Sequence, residues 1–185
     1  AQAVQDARDY FDGRKAQPGA MAGGDYFGVV PMDNSSYCQC PDCQTFFRPD
    51  EPAPDQFSNG RASDYVFQFV DRVAREVGRT HPGKIIATAA YASYAYPPPN
   101  VDLAPNVSVA FCLHVRNIWS ESTQQNDIDL YNAWISRYPD RRYFLFLYYC
   151  FPKLNTRSGN WHCFPGFFAH GIDRWFKRFA ENGVR

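Results

Sequence analysis

The chain reads YFGVVPM at residues 26–32 and continues with DNSSYCQCPDC at residues 33–43. The first stretch is a short apolar run, which predicts a buried strand. The second brings a carboxylate, an amide and three thiols to the point where that strand ends. In sheets of parallel strands the loops at the carboxyl ends converge on one opening, and functional groups collect there. The spacing Cys-x-Cys-x-x-Cys is too tight for three unrelated core cysteines, so we expect a site here.

Strands and one-sided helices alternate along the rest of the chain. Apolar residues spaced three and four apart predict helices near residues 4–11, 63–77, 130–138 and 172–179, the second with Ser63 as its N-cap. Apolar runs predict further strands at residues 84–91, 107–115 and 142–150, and the continuous run at 84–91 is typical of a strand that is buried on both faces. This order predicts an α/β fold with parallel strands and outer helices.

The pattern contains four strands and ends at Arg185, just after a predicted helix C-cap. We interpret residues 1–185 as a single domain that is part of a larger (β/α)8 barrel of the TIM type. An open four-stranded sheet is the competing interpretation. Half a barrel leaves two hydrophobic sheet edges unpaired. We therefore expect the remainder of the polypeptide, or another copy of the chain, to cover these edges.

Composition excludes several classes of partner. The 185 residues include 19 basic and 19 acidic side chains, which are spread evenly, so we predict no binding to nucleic acid or to an anionic membrane. The longest apolar runs are too short to span a bilayer. Aromatic residues make up 17% of the chain, which is typical of a Tyr- and Phe-rich core and also of a cleft that binds sugar rings.

An ordered series of motifs resembles a known bacterial family. It consists of Asp33-Asn34-x3-Cys38-x-Cys40-x2-Cys43, Ser63-Asp64 at the start of a Val/Phe-rich helix, Ile86-x3-Ala90-Tyr91, Pro97-Pro98 and Pro105-Asn106-Val107. Over residues 25–185 this order resembles the domain of unknown function 4838, to which glycoside hydrolase family 163 is similar. The resemblance implies a (β/α)8 barrel that acts on glycans, since family 163 cuts N-glycan cores as an endo-β-N-acetylglucosaminidase. It also implies export from the cytoplasm. Such proteins are much longer than this chain.

Asp33 is the best candidate for a catalytic carboxylate. Most glycosidases place two carboxyl groups across the scissile bond, whereas substrate-assisted enzymes need an acid and a group that orients the acetamido arm. Asp33 lies at a predicted strand end, where such a group belongs. Asp-Asn-Ser-Ser is also ordinary turn chemistry, so an Asx turn is an equal alternative for this residue. The sequence identifies no second catalytic carboxylate.

Polar and aromatic side chains at successive strand ends are candidates for substrate binding. Tyr and Trp rings stack on sugars, and Arg or His can hydrogen-bond to hydroxyl groups. Each residue alone is more often structural, because Tyr commonly ends a buried strand with its hydroxyl in water. Together these residues favour a cleft. The candidates are Asn34, Tyr91, Tyr94, His114, Arg116, Tyr148, Tyr149, Trp161 and His162.

Three interpretations compete for the cysteine cluster. Cys38, Cys40 and Cys43 could supply three of the four ligands of a structural zinc ion, with His162 or Cys163 as the fourth. A disulfide in an exported protein and free thiols in a packed loop are the alternatives. We favour the metal. Cys112 and Cys150 lie inside apolar strands and are predicted to be core residues.

Two functional classes follow from these observations. The first is a glycan-processing glycoside hydrolase domain that is incomplete in this chain. The alternative is a non-catalytic carbohydrate-binding module, or a zinc-stabilised structural module, that keeps the barrel without the acid. A pair of carboxylates about 5–10 Å apart in the cleft would distinguish an enzyme from a binding module.

Overall fold

The computed structural model describes residues 2–14, 16–34, 36–48, 50–51, 53, 55–115, 120–149 and 169–184. Within these ranges the chain forms five strands, five α-helices and one 3₁₀ turn. In chain order they are α1 (Gln2–Phe11), β1 (Ala22–Gly23), β2 (Tyr26–Gly28), α2 (Pro41–Gln44), α3 (Ser63–Thr80), β3 (Ile85–Ala90), the 3₁₀ turn (Ala92–Tyr94), β4 (Val107–Leu113), α4 (Glu121–Arg137), β5 (Tyr143–Leu147) and α5 (Ala169–Glu181).

The five strands form one curled sheet, a half-barrel, in the order β1-β2-β3-β4-β5. Strands β2 to β5 are parallel to their neighbours, as predicted. The expectation that all strands are parallel is wrong at β1, which pairs antiparallel with β2. The chain reverses there in a two-residue hairpin loop, where Gly24 takes a positive φ of 56° that favours glycine. The fold is therefore mixed α/β.

The hydrophobic core lies between the helices and the outer face of the sheet. Helix α3 contributes a one-sided stripe that includes Val66, Phe67 and Val70, because its apolar residues recur at helical spacing. Trp134 of α4 is fully buried, and its indole N–H donates to the carbonyl of Ala95 at 2.7 Å. Burying a large apolar side chain of this kind contributes about 1.5–3 kcal/mol. None of the helices in the described ranges combines the length and apolar character needed to cross a bilayer.

The opposite, concave face of the sheet carries small side chains in its central strands. Ala87 and Ala89 of β3, and Ala110 of β4, alternate with residues that point to the helices. Larger rings lie on β5, where Phe144 and Phe146 are 39% and 57% exposed. This distribution leaves space over the middle of the sheet, and the carboxyl ends of β2 to β5 border it.

Candidate functional site

Asp33 lies at the junction of two cavities at the carboxyl end of β2. The larger cavity, about 580 Å³, covers the concave face of the sheet. The smaller one, about 270 Å³, lies above the ends of β2 and β3. Asp33, Tyr91 and Tyr94 line both cavities, so the two are adjacent, and together they are called the cleft below. The structure therefore brings the predicted catalytic carboxylate together with two of the predicted tyrosines.

Tyr91 follows β3, and its hydroxyl interacts with the Asp33 carboxylate in this cleft. Partial burial raises the pKa of the Tyr91 hydroxyl, and the negative charge of Asp33 beside it raises the pKa further. The phenol therefore keeps its proton at neutral pH and can donate a hydrogen bond to the carboxylate or to a sugar oxygen.

The backbone after Tyr91 is held in an uncommon conformation. Ala92 has a positive φ of 46°, which costs free energy in a residue with a Cβ atom. The backbone N–H of Asn59 donates to the Ala92 carbonyl at 2.9 Å, and the N–H of Ala62 donates to the Ser93 carbonyl at 2.7 Å. The loop that precedes α3 thus fixes the turn that follows β3. Strain of this kind collects at functional sites.

A row of aromatic rings crosses the carboxyl edge from β3 to β5. Phe57 packs edge-on against Tyr91, with ring centroids 5.6 Å apart, and against His114 at 5.0 Å. His114 stacks on Tyr148 at 5.1 Å with nearly parallel planes. Phe57 is 58% exposed, although its neighbour Ser58 is buried. An exposed ring on an anchored backbone is suited to stacking on a sugar.

Polar contacts anchor the segment that carries Phe57. The Nδ1 atom of the buried His114 lies 3.4 Å from the Ser58 hydroxyl. Asn126 of α4 donates from its side-chain amide to the Ser58 carbonyl at 2.8 Å. The Tyr96 hydroxyl in turn donates to the Asn126 side-chain oxygen at 2.8 Å. His114 therefore packs within the aromatic row and also belongs to a hydrogen-bond network that joins the loop carrying Phe57 to α4.

Other predicted site residues lie further from the cleft or outside the described ranges. Tyr94 borders both cavities but is only 4% exposed and belongs to the core. Tyr149 packs against the core, on the other side of the sheet from Tyr148. Asn34 lines the smaller cavity, and its side-chain oxygen accepts from the Ser36 N–H at 2.9 Å. Arg116, Trp161 and His162 lie outside the described ranges.

Phe57 is the residue that sequence reasoning missed. It lies in the polar segment of residues 44–62, which is rich in Pro, Asp and Gly, has no hydrophobic periodicity and therefore predicts only a loop. The available signal was a single large aromatic residue next to Ser58-Asn59-Gly60, since exposed aromatic residues in loops are typical of binding surfaces.

The three sulfur atoms of Cys38, Cys40 and Cys43 lie within 4.8 Å of one another. Helix α2 begins at Pro41 and brings Cys43 back towards Cys40. Ligands of a tetrahedral zinc ion, each about 2.3 Å from the metal, are separated by about 3.8 Å. The cluster therefore fits three positions of such a site after a small contraction. The described part of the chain adds no fourth ligand to this group, and His162 and Cys163 lie outside it.

The thiols of the cluster influence one another's ionisation. The backbone amide of Cys43, with the thiols of Cys38 and Cys43, lowers the pKa of Cys40. Hydrogen bonds from the protonated Cys43 thiol to the Cys40 and Cys38 side chains raise the pKa of Cys43 to about 12, and repulsion between neighbouring thiolates adds to this effect. A divalent cation would remove this penalty, since metal binding requires thiolates.

Cys112 behaves differently from the cluster. It is 6% exposed, and burial raises the pKa of its thiol to about 12. The prediction that it is a core residue is confirmed. All four described cysteines are free thiols in the structure. Cys150, the other predicted core cysteine, lies outside the described ranges.

Comparison with protein families gives a match over most of the chain. The model of a family described as "Domain of unknown function (DUF4838)" matches residues 16–163, which is most of the chain. No curated protein and no solved structure matches it. The resemblance to domain of unknown function 4838 is therefore confirmed.

Proposed function

This chain belongs to the DUF4838 family of domains of unknown function, and we propose that it forms part of a glycan-processing glycoside hydrolase. One observation carries the proposal. An exposed carboxylate, Asp33, lies beside the protonated phenol of Tyr91, in a cleft whose rim carries the half-exposed ring of Phe57. The cleft opens at the carboxyl ends of parallel strands, where barrel enzymes place their chemistry. The resemblance to glycoside hydrolase family 163 adds an N-glycan as the proposed substrate, and export as the proposed location.

The resemblance, together with the single described carboxylate that lines the cavities, leads us to propose a substrate-assisted reaction on an N-acetylglucosamine unit. In such a reaction the acetamido carbonyl of the sugar attacks the anomeric carbon, and the enzyme supplies a group that orients the acetamido arm. Asp33 would accept a hydrogen bond from the acetamido N–H and stabilise the positive charge that develops there. Tyr91 would donate to Asp33 or to a sugar oxygen, and Phe57 would stack on the ring. A second carboxyl group from beyond residues 1–185 would protonate the leaving oxygen.

The second candidate is a non-catalytic carbohydrate-binding domain. It is favoured by the fact that, within the described ranges, Asp33 is the sole acidic residue that lines either cavity. A barrel that kept its aromatic rim without a proton donor would bind glycans and leave them intact. The two candidates share the cleft and differ in turnover.

The experiment that separates them is the Asp33→Asn substitution in the full-length protein. We expect hydrolysis of N-acetylglucosamine-containing glycans to fall about 10²–10⁴-fold, while the glycan Kd changes less than about threefold. Asp102→Asn, an exposed carboxylate that lines neither cavity, is the matched control and should leave both values unchanged. Glycan binding by the wild type with no turnover would support the binding domain, and absence of binding would contradict both candidates.

We also propose that Cys38, Cys40 and Cys43 hold one zinc ion. The proximity of the three sulfur atoms and the two exposed positions, Cys38 and Cys40, support this assignment. Elemental analysis of the purified protein should give about one zinc per chain, and Cys40→Ser should lose it. Cys112→Ser, a buried cysteine outside the cluster, should keep it. Wild-type protein without zinc would contradict the proposal.

A further inference from the structure

Tyr37 lies between the cysteine cluster and the cleft and contacts both. It immediately precedes Cys38 and lines the smaller cavity together with Asp33. Its hydroxyl is 2.6 Å from the hydroxyl of Ser93, which belongs to the 3₁₀ turn that follows Tyr91. The bond spans 56 positions in the sequence and joins the segment after β2 to the segment after β3.

Aromatic packing fixes the ring of Tyr37 on the outer side. Its centroid is 5.1 Å from Phe47 and 5.3 Å from Tyr65 of α3, and those two rings are 4.9 Å apart. The Tyr65 hydroxyl accepts from the backbone N–H of Cys38 at 3.4 Å. The half-buried Tyr37 thus packs against α3, with its hydroxyl directed to the cleft wall.

On the other side of Tyr37, and within the described part of the chain, most hydrogen bonds of residues 38–44 lie inside the cysteine segment itself. Gln44 donates from its side chain to the Cys38 carbonyl at 2.6 Å, and from its backbone to the Cys40 carbonyl at 3.1 Å, and both bonds lie within the segment. Cys38 and Cys40 are exposed, so apolar burial does not hold them. A cation bound to the three sulfur atoms would be the strongest restraint on this stretch.

We propose that Tyr37 is a positioning residue through which a metal ion in the cysteine cluster fixes the cleft wall at Asp33 and Tyr91. The inference rests on the proposed zinc site. With the ion bound, residues 38–43 are closed, Tyr37 is held against Phe47 and Tyr65, and its bond to Ser93 restrains the turn after β3. Without the ion, the segment opens and the restraint on the turn is lost. Asp33 is attached to the same segment, so its position follows as well.

The test is hydrogen exchange of the intact protein, loaded with zinc or treated with a chelator. In the wild type we expect removal of zinc to raise exchange about tenfold or more in residues 36–47 and also in residues 91–95. Tyr37→Phe should still bind one zinc and keep the response in residues 36–47. Its response in residues 91–95 should be lost, because the bond to Ser93 is gone. Ser93→Ala removes the same bond from the other side and should behave alike.

Tyr10→Phe is the matched control, because the Tyr10 hydroxyl also makes one hydrogen bond, to Gly24, away from the cleft. It should respond to chelation as the wild type does. Unchanged exchange of residues 91–95 in zinc-depleted wild type, or a wild-type response in both Tyr37→Phe and Ser93→Ala, would overturn the inference. Zinc content, measured first, identifies failure of the metal site itself, which would overturn the inference without bearing on the glycan cleft.

Discussion

The sequence leaves two roles open for Asp33, a turn residue and a catalytic carboxylate. In the structure, the neighbouring Asn34 takes the turn role. The turn chemistry expected of Asp-Asn-Ser-Ser is performed by Asn34, whose side chain accepts from the Ser36 N–H. Asp33 instead lines both cavities beside Tyr91. Local patterns could not decide between the two roles, because Asp and Asn make the same kind of turn. The catalytic role of Asp33 stays a prediction.

At Phe57 the exposed ring gives a direct test of glycan binding. We expect Phe57→Ala to raise the Kd for an N-acetylglucosamine oligosaccharide roughly two- to twelvefold, since a lost ring stack costs about 0.5–1.5 kcal/mol. Phe57→Trp should retain the affinity. The matched control is Phe69→Ala, which truncates a 49% exposed ring on α3. Titration calorimetry measures all four proteins, and equal effects of the two alanine variants would contradict the assignment.

At Cys112 the raised pKa predicts a specific alkaline destabilisation. The thiol has a pKa of about 12 in the folded protein and about 8.5 when unfolded. The protonated thiol is favoured by folding, so its contribution to stability is complete below about pH 8.5 and is lost as the pH rises towards 12. Relative to Cys112→Ala, the wild type should therefore lose about 1–2 kcal/mol of unfolding free energy between pH 8 and pH 10. Urea denaturation at the two pH values measures the difference, and a constant difference would refute the prediction.

At the scale of elements, hydrophobic periodicity predicts the helices that bury one apolar face and the strands that lie in the interior of the sheet. Helices α3 and α5 and strands β3, β4 and β5 lie close to where periodicity predicts them, because burial imposes that periodicity. Helix α4 begins at Glu121, well before the predicted range of residues 130–138, because its first two turns are mostly polar. The strand predicted over residues 26–32 ends at Gly28, although the Val29 N–H still donates to Ala87 at 2.8 Å. Pro31 has no N–H to extend the ladder.

The predictions that failed concern short or local features. Ser63 is not an N-cap: α3 begins at Ser63 itself after Ala62, and the Ser63 hydroxyl donates to the Tyr96 carbonyl at 2.7 Å. A tertiary partner thus replaces the local bond that the sequence pattern suggested. Strand β1 and helix α2, with two and four residues, are too short to carry a periodic signal. The loop containing Phe57 lacks periodicity altogether, which is why part of the site could not be predicted.

The β1–β2 hairpin depends on the close approach of Gly28 to Met21. A Cβ atom at Gly28 would lie 2.9 Å from both the Cβ and the carbonyl oxygen of Met21, whose carbonyl accepts from the Gly28 N–H at 2.6 Å. Gly28→Ala should therefore reduce the free energy of unfolding by about 1–3 kcal/mol in urea denaturation. Gly23→Ala, in the same hairpin with no atom within 4 Å of its Cβ, should stay within about 0.5 kcal/mol of wild type. Equal losses in both variants would contradict this account.

At the scale of the whole molecule, the half-barrel presents aromatic surface on its concave side. Phe144 and Phe146 of β5 are 39% and 57% exposed and line the larger cavity. In the described ranges β5 pairs with β4 alone, so its other edge offers backbone groups for pairing. A formal net charge of zero provides little repulsion between copies of the chain. Apolar surface and an available strand edge together favour association.

We therefore expect residues 1–185, expressed as such, to self-associate through β5 at concentrations on the order of 10–100 μM. Phe146→Lys should shift the equilibrium to the monomer. A charge on this face is costly to bury, and a charged side chain on an edge strand opposes pairing with another strand. The matched control is Phe176→Lys. It introduces the same charge in place of a similarly exposed ring on helix α5, where Phe176 is 53% exposed. Sedimentation velocity separates the species. Because β5 also borders the cleft, a bound glycan should reduce self-association of the chain if the same face of β5 binds the glycan and the second copy. A wild type that sediments as a monomer over this range, or equal shifts in the two lysine variants, would show that β5 is already covered within the chain.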